Sequence, residues 1–255
     1  MTVDMTRFYR EEDLFPREFT GVTERPWGLL FHNEGNRDSY DSNHALLYRD
    51  RVDDLPGALR EIADFYLSRG LHPVIYQSIL DDGWFGEISP ALAEAGFRSW
   101  QEEQTYMLLR DESAILPDPA IEVRQETRWQ DAFGTHIFEA AGEPWEIPVV
   151  RRQLENPGTH CFVACVDGRP AGMIYGHLNG ENVMRIDYLL TATAFRGRGV
   201  GRALTHAFVT HCRENDIPCA LWPDGETPRR IYEEAGFHYV CTRMAGRASW
   251  RDSLT

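Results

Sequence analysis

The run Tyr188-Leu189-Leu190-Thr191-Ala192-Thr193-Ala194-Phe195-Arg196-Gly197-Arg198-Gly199-Val200-Gly201-Arg202-Ala203-Leu204 carries an apolar strand into a glycine-punctuated turn that opens a helix. Gly197, Gly199 and Gly201 lack the Cβ that would keep backbone N–H groups from converging. The helix beginning near Val200 turns its partial positive end toward the same place. Such a turn suits an anion with several oxygens, although plain strand-to-helix connections use glycine too. A nucleoside-triphosphate P-loop needs Lys and then Ser or Thr after its glycines, whereas Gly201 is followed by Arg202-Ala203. A dinucleotide site expects Gly-x-Gly-x-x-Gly and an acidic ribose ligand about 20 residues on. Asp224 does follow the strand Cys219-Ala220-Leu221-Trp222, but the turn reads Arg-x-x-Gly-x-Gly.

Arg196-Gly197-Arg198-Gly199-Val200-Gly201 resembles the Arg/Gln-x-x-Gly-x-Gly/Ala signature of the GNAT superfamily of acyl-CoA-dependent N-acetyltransferases. The surroundings agree in order: a strand holding Asp187, an amphipathic helix, a short strand, then Glu226-Thr227-Pro228-Arg229-Arg230-Ile231-Tyr232-Glu233-Glu234-Ala235-Gly236-Phe237. That last segment looks like the family's closing helix, with Tyr232 four residues before Gly236-Phe237. The resemblance implies acetyl-CoA as co-substrate and no metal. Its pyrophosphate would lie on Arg196, Gly197, Arg198, Gly199, Val200, Gly201 and Arg202. Its pantetheine arm would pair with the backbone of Leu189, Leu190 and Thr191, where an N–H also polarises the thioester carbonyl.

Amide formation from a thioester needs a neutral amine, a stabilised oxyanion and a protonated leaving thiolate. The resemblance gives Tyr232 the acid's place: a phenol of pKa about 10 is protonated at pH 7 and can donate to the departing sulfur. The other reading is a half-buried tyrosine packing the last helix. Asp187 alternates with Leu189 along its strand and so faces the same side, where it could take the amine's proton directly or through water. An ion pair with Arg185 explains it equally well. The loop Ala141-Gly142-Glu143-Pro144-Trp145-Glu146-Ile147 lies where related enzymes bind acceptors, and Glu143 or Glu146 beside Trp145 suits an ammonium group. Glu146 also reads as an ordinary carboxylate at a helix N-terminus. His136, His160 and His177 stand alone in helix or strand patterns and read as structural.

The elements that must position these groups follow from hydropathy. Ile121-Glu122-Val123-Arg124 is a short strand, and 128–141 has helical spacing with Phe133, Ile137 and Ala141 on one face. A helix near 147–154 precedes hairpin strands at 161–166 and 171–177, joined by Asp167-Gly168-Arg169-Pro170, and a strand at 183–190 enters the turn. The fold implied is α/β (α+β): a mixed, mostly antiparallel twisted sheet flanked by helices. Periodicity lapses around Asp111–Ala120, where two prolines stand. The expected domains are therefore 1–115 and 116–255.

The first half echoes the second: helix Ala58-Leu59-Arg60-Glu61-Ile62-Ala63-Asp64-Phe65-Tyr66, strand Pro73-Val74-Ile75-Tyr76, helix ending Ala93-Glu94-Ala95-Gly96-Phe97. A tandem repeat is the economical reading. The earlier copy's strand Asn43-His44-Ala45-Leu46-Leu47-Tyr48 runs into Arg49–Gly57 without a glycine cradle, and Leu92 stands where Tyr232 would. It reads as a degenerate partner that binds no CoA and could wall the acceptor pocket. The cluster from His32 to Asp38, with Asp41 and His44, fits neither zinc nor calcium spacing and reads as a polar hairpin loop.

A chain of 255 residues with net charge −14 is expected to avoid polyanions such as nucleic acid and to tolerate a cationic acceptor. All 26 basic residues are arginine, which excludes lysine Schiff-base chemistry. Five cysteines without a secretory signal read as reduced thiols. Cys161 and Cys165, about 13 Å apart on a strand, are too distant for one metal or a disulfide. No apolar run approaches a membrane span, so a cytoplasmic monomer or homodimer is expected. The function implied is acetyl transfer to a primary amine of a small molecule. The alternatives are a protein or peptide acetyltransferase and a non-catalytic acyl-CoA sensor, against which the intact cradle and Tyr232 both count.

Overall fold

The computed structural model describes residues 4–178 and 180–251, whose first helix is α1 (Met5–Leu14). Packing gathers them into two units, Glu12–Gln104 with 242–251 and Thr105–Cys241 with 4–11. These units differ from the division at 1–115 and 116–255, and the reason is strand length. β5 (Phe97–Leu109) and β11 (Phe237–Trp250) run 13 and 14 residues, and the chain crosses between the units inside both. The compact unit that contains the glycine turn thus takes a strand segment and the 111–115 linker from before the expected boundary. Ile115 of that linker is buried in its core, and the N–H groups of Arg110 and Asp111 donate to Gly236 O.

In the first unit, β1 (Gly21–Arg25), β2 (Gly28–His32), β3 (Ala45–Leu47) and β4 (Val74–Gln77) lie in the order β1-β2-β3-β4-β11. Every pairing among them is antiparallel except β3 with β4, joined by the crossover helix α2 (Leu55–Leu67). Leu59, Ile62, Ala63 and Tyr66 recur at three- and four-residue spacing and bury one face of α2 with Trp84, Phe85 and Leu92 of α3 (Trp84–Glu94). The 33–44 loop is braced by its own amides. Asn43 Oδ1 accepts from Asn33 N at 2.7 Å, and its Nδ2 donates to Asn36 O at 2.7 Å and Ser39 O at 3.0 Å.

The second unit has the order β5-β10-β9-β8-β7-β6, with β6 (Ile121–Glu126), β7 (Thr159–Val166), β8 (Arg169–Leu178), β9 (Met184–Thr191) and β10 (Cys219–Leu221). β9 and β10 are parallel, joined by α6 (Val200–Glu214), and the other pairings are antiparallel. One sheet face packs under α6 and α7 (Glu226–Glu234) through Ile174, Ile186, Val200, Leu204, Phe208, Leu221 and Phe237. The other packs under α4 (Asp131–Phe133), its π-helical continuation Gly134–Glu139, and α5 (Ile147–Gln153). The helical spacing of 128–141 therefore resolves into a short α-turn followed by a π-helix, a rare form often found at functional sites. Cys161, Cys165, Cys212 and Cys219 are buried free thiols. No described helix is long and apolar enough to cross a membrane.

Two glycines of β8 bring α6 against the sheet. A Cβ on Gly172 would stand 2.7 Å from Leu190 O and 2.8 Å from Val200 Cγ1, and one on Gly176 would stand 2.5 Å from Arg185 O and 2.8 Å from Phe208 Cζ. Since backbone and core side chains cannot yield, Gly176→Ala is expected to cost about 2 kcal/mol or more, read as a lowered unfolding midpoint.

The first unit also buries two titratable groups with opposed effects. Burial pushes the Asp13 carboxyl up to about 7, against hydrogen bonds from Ser78 Oγ and Ile79 N. Burial, with the charge of Arg247 nearby, pushes His44 down to about 4 while it stacks on Tyr76 at 4.2 Å. Between His44's ordinary 6.5 and about 4, the unfolded chain binds a proton that the fold excludes, so its contribution grows as pH rises. Between Asp13's ordinary 3.8 and about 7, the fold keeps a proton that the unfolded chain releases, so its contribution shrinks as pH rises. Denaturant unfolding across pH 4.5–6 should therefore show His44→Phe losing about 1.4 kcal/mol per pH unit relative to wild type as pH rises, and Asp13→Asn gaining about as much.

Candidate active site

β10 pairs with β9 only at Met184 and Arg185, and β9 then runs on to Thr191 paired on its other edge with β8 alone. From residue 186 onward, that strand's outer edge offers main-chain donors and acceptors without a strand to take them. At its end, a 3-10 turn (Thr193–Phe195) leads to Gly197 at φ +73° and Gly199 at φ +85°, both in the left-handed region that favours glycine. Gly199 is the N-cap of α6 and brings no side chain to cap it, so the first N–H groups of this 15-residue helix have no acceptor in the helix and none from a cap. Gly201 is different: a Cβ there would meet only ordinary contacts, 3.7 Å from Ile231 and 3.8 Å from Thr191. Packing does not demand a glycine at that position, where it weakens a helix by about 1 kcal/mol relative to Ala. Close approach of a ligand to the helix end does explain it.

The arginines of the turn are placed unequally. Arg196 Nε donates to Thr191 O at 3.2 Å and closes the turn, while Arg198 lies over the Phe195 ring at 5.2 Å. Arg202 forms an ion pair with Glu234 of α7, so what it offers an anion at the helix end is its N–H. The first unit's corresponding helix is closed. Asp54 caps α2 by accepting from Gly57 N at 3.0 Å, and a Cβ on Gly57 would fall 2.2 Å from that carboxylate. There the chain supplies its own anion.

Tyr232 projects from α7 into the core beneath it, edge-on to Phe237 at 5.7 Å. Burial, reinforced by the nearby Cys219 thiol, pushes its phenol well above the ordinary range and keeps it protonated.

The expected sharing of a face by Asp187 and Leu189 is not what the strand does. The β8–β9 register steps from Gly176↔Ile186 to Tyr175↔Tyr188, leaving Asp187 as the extra residue of a bulge. Leu189 packs toward α6, whereas Asp187, like Tyr188 and Leu190, lies on the α4–α5 side, where Gln153 Nε2 donates to its Oδ2 at 3.3 Å. Burial alone would raise this carboxyl, but the Arg185 guanidinium hydrogen-bonded to it, together with His177, outweighs burial and holds it well below the carboxylate range. A carboxylate so stabilised is a poor proton acceptor.

In the 141–147 loop, Trp145 is 44% exposed and its indole N–H donates to Glu143 Oε2 at 2.7 Å. Glu146 is buried at the N-cap of α5 without making a cap hydrogen bond, and its charge acts on Tyr188 and Tyr175. Those tyrosines, with Phe138 of the π-helix, form a near-parallel stack with centroids 6.1 and 5.6 Å apart. Burial and the surrounding carboxylates raise both phenols and keep them as donors. Sequence reasoning missed this stack and Gln153, and read His177 as a solitary structural histidine. Their signal was present in the alternation Tyr175-x-His177, but the register that joins them to β9 was not. His160, read as solitary, meets His211 at 2.8 Å.

Comparison with known proteins finds similarity in sequence and in fold. Residues 125–237 match the acetyltransferase (GNAT) family. Two curated relatives are both named mycothiol acetyltransferase. One from Propionibacterium freudenreichii subsp. shermanii is 39% identical over 83 residues, covering 31% of this chain and 23% of the relative. One from Thermomonospora curvata is 24% identical over 174 residues, covering 60% and 58%. The chain thus spans less than two thirds of either relative's length. A GCN5-related N-acetyltransferase from Kribbella flavida superposes with a TM-score of 0.68 over 100% of this chain and 98% of its own, at 13% identity. A tandem GNAT protein from the clavulanic acid biosynthesis pathway superposes with a TM-score of 0.54 over 82% and 76%, at 15% identity. The glycine turn, the departing strand and the closing helix with Tyr232 all fall inside the segment that matches the GNAT acetyltransferase family.

Proposed function

We propose that the protein transfers the acetyl group of acetyl-CoA to a primary amine of a small molecule, with the GNAT-family segment as its catalytic half and the first half as a copy without a cradle. The observation that carries this reading is the open N-terminus of α6 at the end of β9's unpaired edge. It offers a seat for phosphate and, leading to it, main-chain groups for an extended arm that carries amides. Residues Gly197, Gly199, Val200, Gly201 and Arg202 would hold the pyrophosphate through backbone N–H groups, and Leu189, Leu190 and Thr191 would hold the arm.

Acetyl-CoA supplies an acyl group already activated as a thioester. As the amine nitrogen bonds to the carbonyl carbon, a backbone N–H of the β9 edge stabilises the oxyanion. The carbon–sulfur bond then breaks, and Tyr232 gives its phenolic proton to the departing sulfur. The acceptor reacts as the neutral amine after its ammonium form gives one proton to water, and the proton its nitrogen loses once the new bond has formed returns through water to the Tyr232 phenolate. Burial keeps the Tyr232 phenol protonated throughout the neutral range, so the proton is present, while the same burial makes it a weaker acid. Glu143 beside the exposed face of Trp145, with Glu146, suits an acceptor that arrives as an ammonium ion. The relatives' names, which refer to mycothiol and not to a protein, support a small acceptor.

CoA release from acetyl-CoA, quantified by mass over a panel of amines and peptides, tests the reading. Tyr232→Phe is expected to lower kcat at least about tenfold while leaving the affinity for CoA within about twofold. The wild-type rate should show no basic limb attributable to Tyr232 below about pH 10. Acetyl-CoA binding that no acceptor converts into CoA release would favour a sensor, and release with peptides alone would replace the acceptor class. Glu143→Gln is expected to raise KM for the amine severalfold with kcat little changed, the mark of lost uniform binding.

A further inference from the structure

We propose that Asp187 is a positioning residue: held by Arg185, Gln153 and His177, it pins the bulge that sets the phase of β9's free edge over residues 188–191. This rests on the acyl-CoA reading, since that edge is the one assigned to the pantetheine arm.

The bulge sits where it matters. Arg185 is the last residue of β9 paired with β10, opposite Ala220, and Asp187 is the unopposed residue just beyond it. Because side chains and main-chain groups alternate with period two, one extra residue reverses the phase of everything after it. In that reversed phase, Leu189 packs toward α6 while Tyr188 and Leu190 pack toward α4–α5. The same reversal decides which N–H and C=O groups of 188–191 point away from β8.

A bulged residue has lost its ladder partner and must be held by something else. What holds it is a ring of buried contacts, closed through the main-chain carbonyl of Gln153 and, between His177 and Asp187, by proximity without a hydrogen bond. Gln153 Nε2 of α5 donates to Asp187 Oδ2 at 3.3 Å, and His177 Nε2 of β8 lies 3.7 Å from the same oxygen. His177 Nδ1 is 3.1 Å from Thr159 Oγ1 at the start of β7, and that hydroxyl donates back to Gln153 O at 2.8 Å. Arg185 takes the other carboxylate oxygen. Gln153 and His177 are fully buried, and Arg185 is nearly so. Side chains of α5, β8 and β9 thus meet Asp187 directly, and Thr159 of β7 braces two of them.

The test is CoA binding by calorimetry, with acetyl-CoA kinetics alongside, for Asp187→Asn, Thr159→Val and Thr159→Ser. Thr159→Val opens the ring without disturbing a charge or the shape of a strand residue, so it answers even where Asp187→Asn unfolds by leaving Arg185 without its counter-charge. Asp187→Asn is expected to weaken CoA about tenfold or more. Thr159→Val should raise KM for acetyl-CoA about fivefold with kcat within about twofold, and Thr159→Ser should restore it. Two results overturn the proposal: CoA affinity unchanged in both Asp187→Asn and Thr159→Val, or Asp187→Asn abolishing turnover with CoA affinity intact, which would make Asp187 the base. A wild-type protein that binds no CoA overturns the acyl-CoA reading and this proposal with it, whereas wild-type binding that no variant changes overturns this proposal alone.

Discussion

The parting of β9 from β10 is the constraint on which the rest of the site depends. Two parallel strands that stayed paired to their ends would satisfy every main-chain group and leave nothing for a ligand. Here pairing stops after Arg185 and Ala220, so the edge of β9 remains open and leads straight to the uncapped start of α6. Both halves of the arrangement rely on unsatisfied main-chain groups, which persist in a fold only where solvent or a ligand can reach them. α6 must therefore lie close against the sheet yet expose its first turn. Gly172 and Gly176 allow the close approach, and the left-handed Gly197 and Gly199 allow the exposure.

The two halves of the chain resolve the same helix start in opposite ways. At α2 the Asp54 carboxylate accepts from Gly57 N, the ordinary remedy for an orphan helix donor, worth about 1 kcal/mol. At α6 that remedy is missing, and a further glycine weakens the first turn. A helix that gives up stability at its N-terminus while its counterpart keeps it carries the cost for a purpose, and the position beside an open strand edge says what the purpose is. The absence of a cradle in the first half is thus more than a lack of glycines: its donors are already occupied.

The order of helices and strands was legible in the sequence wherever one periodicity governed a segment. The hairpin β7–β8, the strand into the turn, α6 and the closing helix all come from patterns local to the chain. The two long strands were not legible, because β5 and β11 each pass through two environments and their burial alternation breaks midway. The site divides in the same way. Gly197, Gly199 and Tyr232 are found by spacing along the chain. The ring of Gln153, Thr159, His177 and Asp187 spans four elements and depends on register, which a single sequence does not carry. Asp187 was recognised by type and placed on the wrong face because alternation assumes an unbroken strand, and the bulge breaks it at that residue.

A net charge of −14 weighs against a polyanionic partner but not against a small one, and the structure gives the reason. Nucleic acid is held by many side-chain cations spread over an extended surface, so the sign of the whole surface matters. The seat at α6 is local and made of main-chain N–H groups and a helix dipole, which need no side-chain charge. Arg202, in the first turn of the helix, is already bound to Glu234. Salt screens exposed charges beyond about 10 Å at 0.1 M, so acidic residues elsewhere on the surface contribute little at the cradle. Under the function proposed, the same acidity would serve a cationic acceptor at the loop around Trp145, where Glu143 accepts the indole N–H. The function proposed thus asks one acidic protein to hold an anionic co-substrate and a cationic acceptor by different means: main-chain dipoles for the first and carboxylates for the second.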